Sequence, residues 1–449
     1  MALSRRKLID DSFSGLGIFS ILLMSASLVV LLAPMVVLGL WAFCFRATVE
    51  HRRVQFNEFG VGNAEDTAAD VARAAVARKP AFDMLVDFET ELTDDFVREM
   101  KYREPLDELK KSLRELLGPL PGDDRDKMPL PRQWYGQTRW QRALVKQHDV
   151  LYRTEWVFQT RDEMGKKTFV PRVDDFRGTP IEPLFAYVED HLEEMMQPRW
   201  TLHWRFLTQE SIDSHFFGGI WPELLGTFYL ATGTMLFAVP VGVIAAIYLT
   251  EYAGRGRFIS LLRTCISTLA GVPSIVFGLF GLAFFINGIH VSDNKSVLAG
   301  SLTLALLVLP TVIRASEEAI RAVPRTYKEA ALSVGAGRWR TIVTVVLPAA
   351  LPGILTGIII SMGRAAGETA PIIFTAAVSV GKPLSLFQTL NEGTPALSWN
   401  IYNLATEHEA IDEIRHVQYG MVFALVFLVL TMSLAAILVR ARISKKLRG

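Results

Sequence analysis

Cysteine is nearly absent: the 449-residue chain has two, Cys44 and Cys265, both in apolar segments. With no CxxC, the chain has no disulfide framework and no thiolate metal cluster, and each thiol reads as a small hydrophobe. Surplus charge is missing too. Lys and Arg total 47 against 46 Asp and Glu, a formal net charge of +1, which excludes a global basic face for nucleic acid. No GxxxxGK[ST] stretch occurs, so the chain has no Walker motif of its own with which to bind ATP. No Ser/His/Asp set, HExxH or metal constellation stands out. His148, His191 and His203 lack metal-ligand spacing. His408 and His416 stand among Glu407, Glu409 and Asp412, which reads as solvated surface. The expectation is a chain that is not an enzyme and binds no cofactor or metal itself.

What the chain does have is apolar length. Half of its residues are hydrophobic and only 21% are charged. A membrane-spanning helix needs roughly 20 apolar residues with few charges. Residues 16–45, 224–250, 296–313 and 417–439 carry no charge, 264–291 has only His290, and 341–380 is interrupted by Arg364, Glu368 and nothing else charged. Six spans are therefore expected. The first is expected to be retained: its apolar run is about twice that of a secretory signal, and no clear small-x-small cleavage site follows it.

Six spans put both termini on one side. The N-terminus carries Arg5, Arg6 and Lys7, and the loop after span two carries Arg255, Arg257 and Arg263. The loop after span four carries Arg321, Arg325, Lys328, Arg338 and Arg340, and the tail carries Arg440, Arg442, Lys445, Lys446 and Arg448. The two short loops opposite have only Lys295, Lys382 and Arg415. The positive-inside rule then places both termini in the cytoplasm and the long segment after span one outside. Arg52 and Arg53 stand against the rule, which discounts long translocated domains.

That long segment reads as a folded α+β domain. Leu106, Leu109, Leu113, Leu116, Leu117 and Leu120 recur at helical spacing within 104–120, and Asp107 stands four residues before Lys111, a weak supporting pair. Residues 149–160 alternate Val150, Tyr152, Thr154, Trp156 and Phe158 with a second face. Residues 168–173 form a second β-like run, with Met164-Gly165 as a candidate turn between them. The expected organisation is a cytoplasmic N-terminus and first span over 1–45, an external insert over 46–221, and a five-span core over 222–449 with a cytoplasmic loop at 322–348.

The loop after span four reads Pro324-Arg-Thr-Tyr-Lys-Glu-Ala-Ala-Leu-Ser-Val-Gly-Ala-Gly-Arg-Trp-Arg and reaches Leu347-Pro348. Ala330 and Ala331 favour helix and keep its surface low. Gly335 can end that helix and turn the backbone, leaving a short helix able to seat in a groove of another protein. An ordinary basic loop is the plainer alternative. The segment resembles the EAA signature of ABC-importer permeases: Glu329-Ala330-Ala331, three residues, Gly335, nine residues, then Leu347-Pro348, with Val345 in place of the usual Ile. The resemblance implies a type I ABC importer permease, an all-α polytopic inner-membrane protein. It also implies a coupling helix that docks on a separate ATPase, which uses ATP and Mg.

Gly218-Gly219-Ile220, Gly226-Thr227, Gly271-Val-Pro-Ser-Ile-Val-Phe-Gly278 and Gly367-Glu-Thr-Ala-Pro371 are similar to phosphate-importer permeases of the PstA kind. The similarity covers about 1–45 and 216–449; the insert falls outside it. It implies phosphate as the solute, a PstC-like second permease, a pair of PstB-like ATPases and a PstS-like binding protein outside.

The intramembrane charges bear on the solute. A charge at a helix centre costs about 2.5–3.5 kcal/mol on insertion scales and marks a cavity, partner or pathway. Arg364 and Glu368 are four apart and share a helix face. Arg364 lies about 15 residues, or about 22 Å, beyond a cytoplasmic entry near Ala349, close to or past the midplane. Its guanidinium offers bidentate donors matched to phosphate; a structural salt bridge is the alternative. Arg314 and Glu317, three apart after span four, form a second candidate pair. Near the cytoplasmic edge an arginine also anchors a helix, and the pathway role of this pair is implied by the resemblance. Sulfate, molybdate or an amino acid as solute, or a receptor that senses through the external domain, are the competing functions.

Overall fold

The computed structural model describes residues 2–93, 96–123, 138–157, 166–212, 214–254, 256–408 and 411–448. The chain divides into two compact units. The first joins Met1–Ala42, Arg205–Ser211 and Gly218–Gly449, and the second joins Phe43–Trp204 and Ile212–Phe217.

The first unit is built from apolar helices. Among the described residues five are long and apolar enough to cross a membrane: Ser12–Leu40, Trp221–Tyr252, Val297–Arg321, Arg338–Gly367 and Ile414–Lys445. A sixth apolar stretch is broken. Arg257–Leu269 and Ser274–Ile286 meet at 102°, so the expected straight span over 264–291 is two short helices around a corner. The corner has a local cause. Proline disfavours helix in the residue before it, Pro273 has extended ψ, and the Gly271 and Val272 amides bond back to Thr268 and Leu269. The expected single span over 341–380 is interrupted as well. Its helix stops at Gly367, Glu368 takes extended backbone (ψ 129°), and a short helix restarts over Ala370–Thr375.

Val297–Arg321 is the centre of this unit, packed against Trp221–Ile247 and Leu347–Gly367. Its first turn is capped by Ser296, whose hydroxyl accepts from the Ala299 amide at 3.0 Å. Where it meets Leu347–Gly367, small residues face small residues. A Cβ added to Gly353 would lie 2.7 Å from Ala319 Cβ, and one added to Gly357 would lie 2.3 Å from Ala315 Cβ. Both pairs are four apart, the small-xxx-small spacing that lets helix backbones approach in lipid. The apolar side chains over 12–34 of the first helix are, by contrast, exposed.

The second unit is mostly helical and includes the antiparallel ribbons Cys44–Ala47 with Arg199–Leu202 and Tyr152–Val157 with Lys166–Pro171. The leucine ladder lies on the helix Phe96–Leu117 and continues to Leu120, and all six leucines are buried. They pack with Leu85, Phe88, Phe176, Leu184 and Met195 in one cluster. The alternation over 149–160 begins later than the sequence suggests. The helix Trp140–Leu151 keeps Val150, and the strand starts at Tyr152. Phe158 and the candidate turn Met164-Gly165 lie outside the described residues.

The two arginines that oppose the positive-inside rule have work in this unit. Arg52 Nε lies 3.0 Å from Asp70 Oδ2, and Arg53 Nη1 lies 3.9 Å from Glu50 Oε2. His51 and His203 are buried with ring centroids 5.4 Å apart, and Phe45 and Phe217 pack on His51. Burial, then the neighbouring His203, Arg139 and Arg52, hold the His51 imidazole well below its usual range.

Candidate functional site

Arg364 occupies the last turn of Leu347–Gly367 and Glu368 caps that helix. Although Glu368 has left the helix, Arg364 Nε still donates to Glu368 Oε1 at 3.2 Å. The Arg364 side chain is 44% exposed and that of Glu368 is 20% exposed. No other partner engages the guanidinium among the described residues, so its remaining N–H donors are open to a ligand. Ser398 stitches the break: its hydroxyl donates to the Glu368 carbonyl at 3.2 Å, and the Thr369 hydroxyl donates to the Ser398 carbonyl at 3.3 Å. Irregular backbone at membrane depth is tolerated where it is buried in protein or lines a cavity. The Gly367–Pro371 stretch is therefore a break that presents an ion pair.

The second expected pair does not form. Arg314 is exposed and makes no ion pair among the described residues. Glu317 instead lies 3.0 Å from Arg321 Nη2 and 3.7 Å from Arg263 Nη1. The reason is geometric. Glu ahead of Arg at i, i+4 is a favoured helix pair, and Arg263 arrives from the broken span. No hydrogen bond or ion pair joins Arg314 to Arg364 or Glu368 among the described residues.

The 322–348 loop is a second feature. Arg325–Ser333 is helical with none of its residues buried. Glu329 and Ala330 are exposed and Ala331 is half-buried. Gly335 has φ +84°, its amide bonds the Leu332 carbonyl at 3.0 Å, and the Ala336 amide bonds that of Ala331 at 3.2 Å. A left-handed glycine ends the helix as expected. Leu347 and Pro348 begin the following long helix. Around the short helix Tyr327, Leu332, Val334 and Trp339 expose apolar surface. It is held from below: Lys328 pairs with Glu251, Arg338 donates to the Glu251 carbonyl, and its guanidinium lies 4.9 Å from the Tyr252 ring centre.

Sequence reasoning missed Glu251, Lys328 and Arg338 as anchors. The signal was one acid closing span two opposite a basic loop. It also missed Glu223, buried in the first turn of Trp221–Ile247, where Asn400 Nδ2 donates to Glu223 Oε1 at 3.1 Å. An acid there complements the helix dipole, and the Thr227 hydroxyl one turn on receives the Leu397 amide at 2.8 Å.

Long apolar helices, an ion pair at a helix break and an exposed helix on a pinned loop define a polytopic membrane protein. Residues 238–449 match the family described as binding-protein-dependent transport system inner membrane component. The chain is 37% identical over 255 residues to the probable ABC transporter permease protein YqgI of Bacillus subtilis, covering 55% of this chain and 86% of the relative. It is also 37% identical over 237 residues to the phosphate transport system permease protein PstA 1 of Mycobacterium tuberculosis, covering 53% and 75%. A solved structure of the MetNI methionine ABC transporter aligns with 50% of this chain and 94% of its own at 19% identity and TM-score 0.39. The chain belongs to the PstA family of ABC-importer permeases, integral proteins of the inner membrane.

Proposed function

We propose that this permease forms the path for inorganic phosphate in an ATP-driven importer. The carrying observation is the Arg364–Glu368 pair at a helix break, in a chain whose relatives include phosphate permeases. A guanidinium with unspent donors suits an oxyanion. Glu368 holds Arg364 when the site is empty, and its carboxylate accepts a hydrogen bond from the protonated oxygen that HPO₄²⁻ carries and sulfate lacks at neutral pH. Arg314 is exposed and makes no ion pair among the described residues, as a second phosphate contact near the cytoplasmic edge requires; Glu317 then orients Arg321 and Arg263. The residues over 322–348, with Glu329, Ala330, Ala331 and Gly335 in the exposed helix and Leu347-Pro348 at its exit, couple the path to a separate ATPase of the PstB kind. A PstC-like permease completes the path and a PstS-like protein delivers phosphate. Both termini lie in the cytoplasm and the inserted unit lies outside, as the basic loops favour.

The test is phosphate uptake by Arg364→Gln and Arg314→Gln at verified expression. Losing one charged hydrogen-bond partner costs about 1.5–3 kcal/mol, so Arg364→Gln lowers uptake at limiting phosphate roughly tenfold to a hundredfold. Wild-type uptake in both variants overturns the anion path, and competition by sulfate, molybdate or an amino acid reassigns the solute.

A further inference from the structure

The second unit holds a cavity of about 550 Å³, within the size range of small-molecule sites. Its walls are apolar, including Val71, Phe82, Pro119 and Pro121. Its polar groups sit at two levels. Deep in it, Arg78 and Glu50 form a buried pair, with Arg78 Nη1 2.7 Å from Glu50 Oε1. Arg78 is spent: its Nε donates to the Met195 carbonyl at 3.0 Å and its Nη1 also to the Leu117 carbonyl at 3.1 Å. Glu50 is not spent. Its side chain is 5% exposed and its Oε2 is buried without a hydrogen-bond partner. Arg53 Nη1, at 3.9 Å, forms an ion pair with that oxygen but is too far to hydrogen-bond it. Arg53, Lys79 and Asp83 also line the cavity, and Lys79 and Asp83 are exposed.

A buried carboxylate oxygen without a donor is costly and calls for an explanation. A ligand with an N–H donor supplies one. The apolar walls ask for an apolar body, and Lys79, with the Arg53 guanidinium in the same lining, offers positive charge to an anionic group. We propose that the inserted unit binds a small zwitterion with an apolar body. Its ammonium bonds Glu50 Oε2 and its carboxylate or phosphate meets Arg53 and Lys79. Free amino acids with apolar side chains and the headgroup of ethanolamine phospholipids share that chemistry; choline headgroups lack the N–H donor. The site is independent of the transport reading and would give the insert a sensing role.

Full-length protein in phosphatidylcholine nanodiscs, titrated with L-leucine, tests the free source. The same protein in phosphatidylethanolamine nanodiscs tests the lipid source. The readout is hydrogen-exchange protection at 49–53 and 71–83. Protection by either probe, weakened at least about tenfold in apparent affinity by Glu50→Gln and reduced severalfold by Lys79→Gln, supports the site and identifies its source. Because Glu50→Gln also disturbs the pair with Arg78, Ala75→Trp provides a second variant. Ala75 is an exposed lining residue, and tryptophan there blocks the cavity while leaving the pair intact. Protection by neither probe, or protection that survives both Glu50→Gln and Ala75→Trp, overturns the proposal. Phosphate uptake is a separate readout, so failure here leaves the transport reading to its own test.

Discussion

The two units are packed by opposite means. In the membrane unit, Gly353 and Gly357 meet Ala315 and Ala319, and the helices close on almost no side chain. In the inserted unit, Leu85, Leu109, Leu113, Phe176 and Met195 fill one large-residue core. The surroundings explain the difference. Lipid tails are as apolar as leucine, so burying leucine between spanning helices gains little, and close backbone contact drives association instead. In water, fully burying a large apolar side chain is worth about 1.5–3 kcal/mol. The charges follow the same division. The inserted unit buries Glu50 with Arg78 and surrounds Asp70 with Arg52, Arg73 and Arg199. The membrane unit places Arg364 and Glu368 at a helix break, with the arginine partly exposed.

The contrast can be broken at three points. The largest effect is expected from Leu109→Ala, which removes a fully buried side chain and costs about 2–5 kcal/mol. Hydrogen exchange of the full-length protein should speed up across the 81–196 cluster; a rise confined to the mutated turn would deny that this core is cooperative. The next is Gly357→Leu, which drives a side chain into Ala315 at a cost of about 1–3 kcal/mol. Denaturation of the solubilised protein in SDS should shift to lower detergent, whereas Gly15→Leu, where an added Cβ meets nothing within 4 Å beyond its own helix backbone, should not shift. Equal behaviour of the two variants would sink the close-packing account.

The smallest effect is pH-dependent. The folded His51 pKa is lowered from the usual 6.5, so the native unit binds fewer protons than the unfolded chain at acid pH. The stabilising contribution of neutral His51 is fully present above about pH 6.5 and declines as pH falls below that, by up to about 1.4 kcal/mol per pH unit. Exchange protection around Phe45, His51 and Phe217 should fall between pH 7.5 and 5, and His51→Phe should flatten the dependence. A steeper loss in that variant would assign the acid response to other groups.

Much of this was legible from local pattern. The leucine ladder over 106–120 had the period of its helix, the apolar runs marked the spans, and Glu329 to Gly335 spelled a short helix with its stop. Hydropathy did not show direction. It scores 264–291 as one apolar run, although Pro273 turns the chain by 102°, and it cannot see that Glu368 leaves the helix while keeping Arg364. Partner choice was illegible for a related reason. Glu317 takes Arg263 from another helix, and Glu251 finds Lys328 across 77 residues. The small-xxx-small spacing at Gly353 and Gly357 was readable in principle, but its meaning depends on which helix lies opposite.

The sequence by itself determined that the chain is a membrane permease, where its apolar runs lie, and which loop carries the exposed short helix. These follow from composition and spacing within a few tens of residues. The tertiary structure decided where two of those runs bend and which charges pair. It also decided that Glu50 keeps a buried oxygen without a donor beside a cavity. Such facts depend on residues far apart in the chain meeting under steric and electrostatic constraints that no local pattern records.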